Sequence, residues 1–189
     1  MTTESLTKSD TRVGLVSLAV VALGLAASAV SPHDTFTWFL EVAPIFIAVP
    51  IMLATRTRFP LTPLVMGLIA FHALVLCVGG HYTYARVPFG FWIGHVFGFS
   101  RNHYDRFGHF VQGFVPAIIA RELLLRHTPL RRGGWLFFLV VCVCLAISAT
   151  YEFIEWWTAL AQGADATDFL GTQGDPWDTQ TDMLSLIHI

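Results

Sequence analysis

Charged side chains are scarce in this sequence, and basic side chains are the scarcer kind. Only 13% of the 189 residues are charged, and the chain contains a single lysine beside ten arginines. It has no basic stretch of the kind that follows a nucleic-acid backbone, and its formal net charge is -2. Nucleic acid is therefore not an expected partner.

Cysteines and the compact metal-binding motifs are also rare or missing. The three cysteines, at positions 77, 142 and 144, all lie inside apolar runs, where a thiol more often behaves as a small buried hydrophobic group. The sequence contains no Glu-x-x-His, no His-Glu-x-x-His and no Cys-x-x-Cys. A metal site in this chain would have to be assembled from residues that are distant in sequence.

Long apolar runs, in contrast, are abundant. Hydrophobic residues make up 54% of the chain and the mean hydropathy is +0.61, more than a soluble globule of this size carries. The sequence therefore predicts an all-α, polytopic transmembrane helix bundle with five complete spans and the start of a sixth. The complete spans are predicted at about residues 13–30, 36–54, 61–78, 105–125 and 135–157.

The first apolar run has a second interpretation. Ala27-Ser28-Ala29 resembles the small-residue cleavage site of a signal peptide, but the apolar core before it is longer than a signal core. A retained first span is the preferred interpretation. Residues 1–12 are then a cytoplasmic tail and residues 13–183 a single transmembrane helical domain.

An acidic, glycine-rich stretch at residues 169–183 predicts the start of the sixth span. Asp175 followed by Pro176 is typical of a helix N-cap and first helical position. Asp178 and Asp182, four residues apart, would share one face of that helix. Residues 184–189, Leu-Ser-Leu-Ile-His-Ile, match the translated end of a widely used sequencing-library transposon. They are expected to be a non-native or truncated tail, in which His188 carries no function.

Between the third and fourth spans, residues 85–102 are aromatic, glycine-rich and too interrupted for a span. This composition favours a segment lying at the membrane surface or folding back into it.

The positive charges divide unevenly between the two sides of the predicted bundle. Alternating spans place one group of basic residues on the same side as the N-terminus: Lys8, Arg12, Arg56, Arg58, Arg121, Arg126, Arg131 and Arg132. Only Arg86, Arg101 and Arg106 fall on the other side. The positive-inside rule then predicts a multi-pass protein of the inner membrane with a cytoplasmic N-terminus.

The acidic and imidazole groups have the opposite distribution, because they gather at the predicted outer ends of the spans. The acidic members are Glu41, Asp105, Glu152, Glu155, Asp175, Asp178 and Asp182. The imidazoles are His81, His103 and His109. Carboxylates and imidazoles converging from several helices are the groups with which a bundle holds a divalent metal ion. The spacings of Glu152 to Glu155, and of Asp105 to His109 and Gln112, put each set on one helix face.

The first functional hypothesis is a membrane enzyme whose site lies at the outer leaflet and acts on a lipid or an envelope precursor. Its predicted catalytic residues are Glu152, Glu155, Asp178 and Asp182. Its predicted ligands for a divalent metal ion are His81, His109, Asp105, Glu155, Asp178 and Asp182. Without a metal, the same set could perform acid/base chemistry, one carboxyl staying protonated in apolar surroundings while another is ionised.

Three other interpretations remain open. The ionisable groups could form a structural ion-pair network among Arg101, Arg106, Asp105 and the glutamates. The chain could also be a non-catalytic module that binds a lipid or a partner protein through the aromatic surface segment. A small-solute transporter is less favoured, because few polar groups lie at the midplane of the spans. One group of aromatic residues is expected to form an interfacial belt rather than a substrate cage: Tyr82, Tyr84, Trp156, Trp157 and Trp177.

Several of these stretches together resemble the YjdF-type family of bacterial inner-membrane proteins. They are Gly-Gly-His-Tyr-Thr-Tyr at 79–84, Asn-His-Tyr-Asp-Arg-Phe-Gly-His-Phe at 102–110, Arg121-Glu122, Tyr-Glu-Phe-Ile-Glu-Trp at 151–156 and the acidic stretch at 169–183. The resemblance covers about residues 13–183, and a complete member would continue through its last helix. It implies a multi-spanning helical membrane protein and supplies no assigned catalytic residue.

Overall fold

A computed structural model describes residues 8–162 and 172–187, and over these residues the chain contains no β-strand. The described part has seven α-helices. They are α1 (Lys8–Ser28), α2 (Thr35–Thr55), α3 (Pro63–Tyr82), α4 (Pro88–Phe97), α5 (Tyr104–His127), α6 (Gly134–Gln162) and α7 (Asp178–Ile187). The chain divides into two compact units, Met1–Tyr82 and Thr83–Ile189.

The first unit is a three-helix layer in which α3 packs against both α1 and α2. Its core is made of small and branched apolar side chains: Val21, Val42, Ile45, Ala70, Ala73, Leu76 and Cys77. Pro44 and Pro50 lie inside α2, as expected for a membrane helix, whose neighbours and side chains can satisfy the freed carbonyls.

Polar contacts in this unit gather where α1 ends and α2 begins. The Trp38 indole N–H donates to the Ser28 hydroxyl at 3.0 Å, and Nδ1 of His81 lies 3.0 Å from the Ser28 carbonyl oxygen. Asp34 caps α2 by accepting a hydrogen bond from the backbone N–H of Thr37. That hydrogen bond lowers the pKa of the Asp34 carboxyl from its ordinary value.

The second unit is organised around α5, which packs against both α6 and α7. Its apolar core lies between α5 and α6 and consists of Ala117, Leu136, Val140 and Cys144. At the other end of α5, Gly108 lies so close to the Tyr84 ring that a Cβ atom would come within 2.6 Å of it. Small residues on α5 therefore allow its neighbours to approach closely.

Four described helices are long and apolar enough to cross a membrane: α1, α2, α3 and α6. Many of their large apolar side chains face outward, including Leu15, Leu23, Phe137 and Phe138, whereas several carboxylates of the chain are buried. Soluble proteins bury their large apolar side chains and expose their carboxylates, so this opposite arrangement supports a membrane protein. Helix α5 is not among the four, because ionisable residues such as Asp105, Arg121 and Arg126 lie along it.

Several helix boundaries differ from the sequence-based ones. Helix α3 continues to Tyr82 and α6 to Gln162, each several residues beyond the predicted end of its span. The interrupted stretch before the fourth predicted span contains the ten-residue helix α4, which begins with Pro88 and ends at Gly98 in the left-handed conformation. Proline at the first turn and glycine at the end are favoured helix boundaries.

The predicted N-cap at Asp175 was placed too early, because α7 begins at Asp178. Gln173 and Gly174 both have positive φ angles, of 46° and 85°, so the chain turns sharply before the helix. The Asp175 carboxylate accepts from the backbone N–H of Trp177. It therefore closes a local turn ahead of α7.

Candidate functional site

A hydrogen-bonded clamp fixes the turn at residues 172–177 to the start of α5. The Gln173 side-chain amide donates to the Asn102 carbonyl at 2.8 Å and accepts from the Asn102 backbone N–H at 2.9 Å. The fully buried Asn102 side chain in turn donates to the Val87 carbonyl and accepts from the Tyr104 N–H. These four hydrogen bonds connect the residues before α4, the start of α5 and the turn before α7.

Two arginines lie beside the clamp and pair with two aspartates of the acidic stretch. Arg101 lies 3.1 Å from a carboxylate oxygen of Asp175 and 2.8 Å from one of Asp178. Arg106 lies 2.8 Å from the same Asp175 oxygen. Burial, followed by the positive charges of Arg106 and Arg101, lowers the pKa of nearby His103. The predicted ion-pair network therefore exists, but its acidic partners are Asp175 and Asp178.

A second group of ionisable side chains lies deeper between α5 and α7. Asp105, His109 and Asp182 are all buried, and one potential ligand atom from each lies within 4.8 Å of the other two. Asp105 and His109 come from one face of α5, as their spacing of four residues predicts, with Nε2 of His109 3.6 Å from Asp105 Oδ1. Asp182 is contributed by α7. No single local motif in the sequence contains these three residues.

Glu152 of α6 completes the buried layer. Its Oε1 lies 3.9 Å from Nε2 of His109, and the residue is only 8% exposed. Glu152 Oε1, Asp182 Oδ1 and His109 Nδ1 are buried atoms with no hydrogen-bond partner among the described residues. Buried polar atoms are almost always satisfied in native proteins, so this concentration of unsatisfied ones requires an explanation.

The other predicted site residues have different surroundings. Asp178 is buried on the same face of α7 as Asp182, as predicted, but it is neutralised by Arg101. Glu155 is partly buried and lies with Glu152 and Asp178 in the wall of a cavity. His81 belongs to the first unit, where its ring contacts the Ser28 carbonyl and stacks edge-on against Tyr82. The assignments of Glu155 and His81 as metal ligands stay predictions.

Sequence reasoning missed the two amide residues that position the site. Asn102 and Gln173 lie in stretches that carry the family resemblance, but they have no charge and no periodic position, so their role in positioning the site was not predicted. In the structure, a Cβ at Gly90 would overlap the Asn102 side-chain oxygen, so a glycine is the residue that fits beside the buried amide.

The arrangement has the donor atoms required for binding a cation. Two carboxylates and one imidazole converge, with a third carboxylate, Glu152, next to them. Nearby arginines already pair with Asp175 and Asp178, so Asp105, Asp182 and Glu152 have no arginine or lysine within ion-pair distance among the residues described. Carboxylate and imidazole ligands together suit divalent ions such as Mn²⁺ and Zn²⁺.

Comparison with known proteins gives one family and one curated relative. The family model described as "Predicted membrane protein (DUF2238)" matches residues 13–187. The chain is 56% identical over 167 residues to the inner membrane protein YjdF of Escherichia coli (strain K12), and the match covers 88% of this chain and 80% of that protein. No solved structure matches the chain significantly. The resemblance inferred from the motifs is confirmed.

Proposed function

This chain belongs to the DUF2238 family of predicted membrane proteins, and we propose that it binds a divalent cation between α5 and α7 through Asp105, His109 and Asp182. Its relative is an inner membrane protein, which together with the apolar helices supports a multi-pass protein of the inner membrane. The bound cation would equip the site for chemistry on a lipid or an envelope precursor.

The excess of buried carboxylates is the observation that carries this proposal. Like charges within 4.8 Å of each other in a buried site repel strongly unless a cation or protons neutralise them. The unsatisfied oxygens of Glu152 and Asp182 lie in this layer, and they cannot satisfy each other because ionised carboxylates only accept hydrogen bonds. One divalent cation held by Asp105, His109 and Asp182 would neutralise the layer and occupy the Asp182 acceptor.

Glu152 is the residue best placed to act as a base beside the cation. It lies next to His109 but outside the group of three converging ligand atoms. A carboxylate in that position could accept a proton from water or from a substrate hydroxyl held by the cation. Glu155 and Asp178, which share a cavity wall with Glu152, would then contact the substrate rather than the cation.

The membrane side of the site follows from the charges of the second unit. The connection between α5 and α6 and the end of α5 carry Arg126, Arg131 and Arg132, whereas the cluster lies at the opposite ends of these two helices. The positive-inside rule assigns the arginine-rich end to the cytoplasm and the cluster to the extracytoplasmic side. This assignment includes α5 as a span, with α7 starting a sixth and the N-terminus cytoplasmic.

The test is a measurement of metal content and metal-dependent stability on the full-length protein in detergent. We expect about one divalent ion per chain after purification without chelator. After chelation, Mn²⁺ or Zn²⁺ should raise the melting temperature in a saturable way. Asp182→Asn should weaken the affinity at least about tenfold, because it removes a charged ligand.

Glu122→Gln is the matched control. Glu122 pairs with Arg126 near the end of α5, far along that helix from Asp105 and His109, so its substitution should leave the ion affinity unchanged. A wild-type protein without bound metal, whose melting temperature is unaffected by Mn²⁺, Zn²⁺ and Mg²⁺, would show that the buried carboxylates are neutralised by protons. The site would then be an acid/base or structural cluster.

A further inference from the structure

A cavity of about 350 Å³ lies beside the buried cluster, between α6, the residues before α7 and α7 itself. Its volume lies in the range of small-molecule binding sites. It shares Glu152 and Asp178 with the polar layer described above, but neither Asp105, His109 nor Asp182 lines it. The cavity therefore lies next to the proposed cation site and shares part of its wall with the polar layer.

Among the described residues, the polar part of the cavity wall consists of hydrogen-bond acceptors and hydroxyl groups. Three carboxylates line it, from Glu152, Glu155 and Asp178, together with the hydroxyls of Thr172 and Thr179, and none of the described arginines, lysines or histidines does so. Arg101 compensates Asp178. An anionic group would be repelled by this wall, whereas a cationic group would be attracted.

Aromatic rings form much of the remaining wall. Phe153 and Trp156 line the cavity from the same helix as the two glutamates. Both rings are more than half exposed, at 52% and 56%, so their faces are accessible to a ligand. Carboxylates combined with indole and phenyl rings are the groups that bind organic ammonium ions.

The acceptors in the wall distinguish between two kinds of ammonium ion. A primary ammonium carries three N–H donors, whereas a quaternary ammonium has none and relies on the aromatic faces alone. Glu152 is more than nine-tenths buried, and its Oε1 has no hydrogen-bond partner in the described part of the chain. A donor-bearing cation could satisfy such an acceptor.

We propose that this cavity binds the primary ammonium group of an organic ligand, between the carboxylates of Glu152 and Glu155 and the ring of Trp156. The binding does not require a metal ion at Asp105, His109 and Asp182. The ammonium could belong to a free amine or to an amine-bearing lipid headgroup, since the recognised chemistry is the same in both.

The test uses ethanolamine and choline as matched probes for the metal-free, full-length protein in maltoside detergent with chelator present. Isothermal titration calorimetry should show saturable binding of ethanolamine, and binding of choline at least about tenfold weaker because choline has no N–H donor.

Phosphatidylethanolamine and phosphatidylcholine, each added to the detergent micelles, identify the source of the amine. Retention of each lipid is read by native mass spectrometry. Displacement of ethanolamine by phosphatidylethanolamine alone indicates a lipid headgroup, and displacement by neither lipid indicates a free amine.

Two cavity variants and two controls locate the binding. Glu155→Gln should weaken ethanolamine binding about tenfold, through loss of a charge-assisted hydrogen bond, and Trp156→Leu about threefold. Trp135→Leu removes an exposed ring at the opposite end of α6 that does not line the cavity, and it should have no effect, like Glu122→Gln.

Selective retention of phosphatidylethanolamine that is lost in Trp156→Leu supports the proposal even if free ethanolamine does not bind. Equal binding of ethanolamine and choline, binding unchanged in both cavity variants, or no binding of any probe overturns the proposal. Because all of these measurements are made without metal, they do not depend on the outcome of the metal titration.

Discussion

Asp105 of α5 and Asp182 of α7 bring carboxylate oxygens within 4.8 Å of each other in a buried site that also contains His109. Neither aspartate has an arginine within ion-pair distance among the residues described, although Arg101 and Arg106 lie close enough to act on Asp105 electrostatically. This relationship separates the polar layer into a paired part around Asp175 and Asp178 and an unpaired part around Asp182.

Binding of a divalent cation to the cluster should weaken as the pH falls. Protons compete with the cation for Asp105, His109 and Asp182, and each ligand that must lose a proton on binding contributes about a tenfold loss of affinity per pH unit. The affinity must decrease at lower pH, because protons then occupy the same ligand atoms. Titrations with Mn²⁺ at several pH values between about 6 and 8 measure the slope. A flat profile over this range would contradict binding at these ligands.

Asp182→Asn should change the stability of the protein in opposite directions with and without metal. In metal-free protein the substitution removes one of several crowded buried carboxylates, so the free energy of unfolding should rise by about 1 kcal/mol. With saturating Mn²⁺ the wild type should be the more stable of the two, because the variant has lost a ligand. Thermal unfolding with and without chelator checks this crossover. If the difference in melting temperature between wild type and variant is the same with and without chelator, Asp182 does not bind the metal.

Arg101→Ala should destabilise the second unit strongly. The arginine side chain is only 12% exposed, and it pairs with both Asp175 and Asp178, so its removal leaves an uncompensated buried carboxylate. The expected loss is about 3 to 5 kcal/mol. Arg126→Ala, which breaks the more exposed Glu122 pair four residues away on α5, should cost about 0.5 kcal/mol. Fluorescence-detected size-exclusion chromatography after heating compares the two variants, and similar losses would mean that the Arg101 pairs are not buried in solution.

Gly90→Ala should disrupt the clamp around Asn102. The added Cβ would overlap the Asn102 side-chain oxygen, which accepts from the Tyr104 N–H, so the amide would have to move and lose its hydrogen bonds. Overpacking and the lost hydrogen bonds together should cost about 3 kcal/mol.

Gly67→Ala is the control for this variant, because a Cβ at Gly67 meets nothing within 4 Å and that glycine lies inside α3. The control should stabilise the protein by about 0.5 kcal/mol through helix propensity. Melting temperatures of both variants test the pair. Equal changes in melting temperature for Gly90→Ala and Gly67→Ala would show that the Asn102 amide has room to move.

Local spacing was sufficient to predict which side chains share a helix face. Asp105 and His109 on α5, and Asp178 and Asp182 on α7, are buried together as their four-residue spacing indicates. Local capping signals failed at the start of α7, because they placed the N-cap at Asp175. That carboxylate instead closes a turn and is held by Arg101 and Arg106, contacts from distant parts of the chain that a local rule does not include.

The pairing of charges was not predictable from the sequence. Arg101, Arg106 and the acidic residues were recognised as a possible network, but spacing cannot say which carboxylate an arginine reaches. The clamp between Asn102 and Gln173 decides this, because it fixes the turn that carries Asp175 beside the two arginines. Neither amide had a charge or a periodic position that would have identified it.

The sequence alone determined that this is a helical membrane protein and where its main apolar helices lie, because apolar composition and helical periodicity are properties of contiguous residues. It also determined which ionisable side chains lie on one face of each helix. Only the tertiary structure decided that Asp178 is neutralised by Arg101 while Asp105, His109 and Asp182 converge without such a partner. The reason is that charge compensation depends on distances between side chains of different helices, and these distances are set by packing.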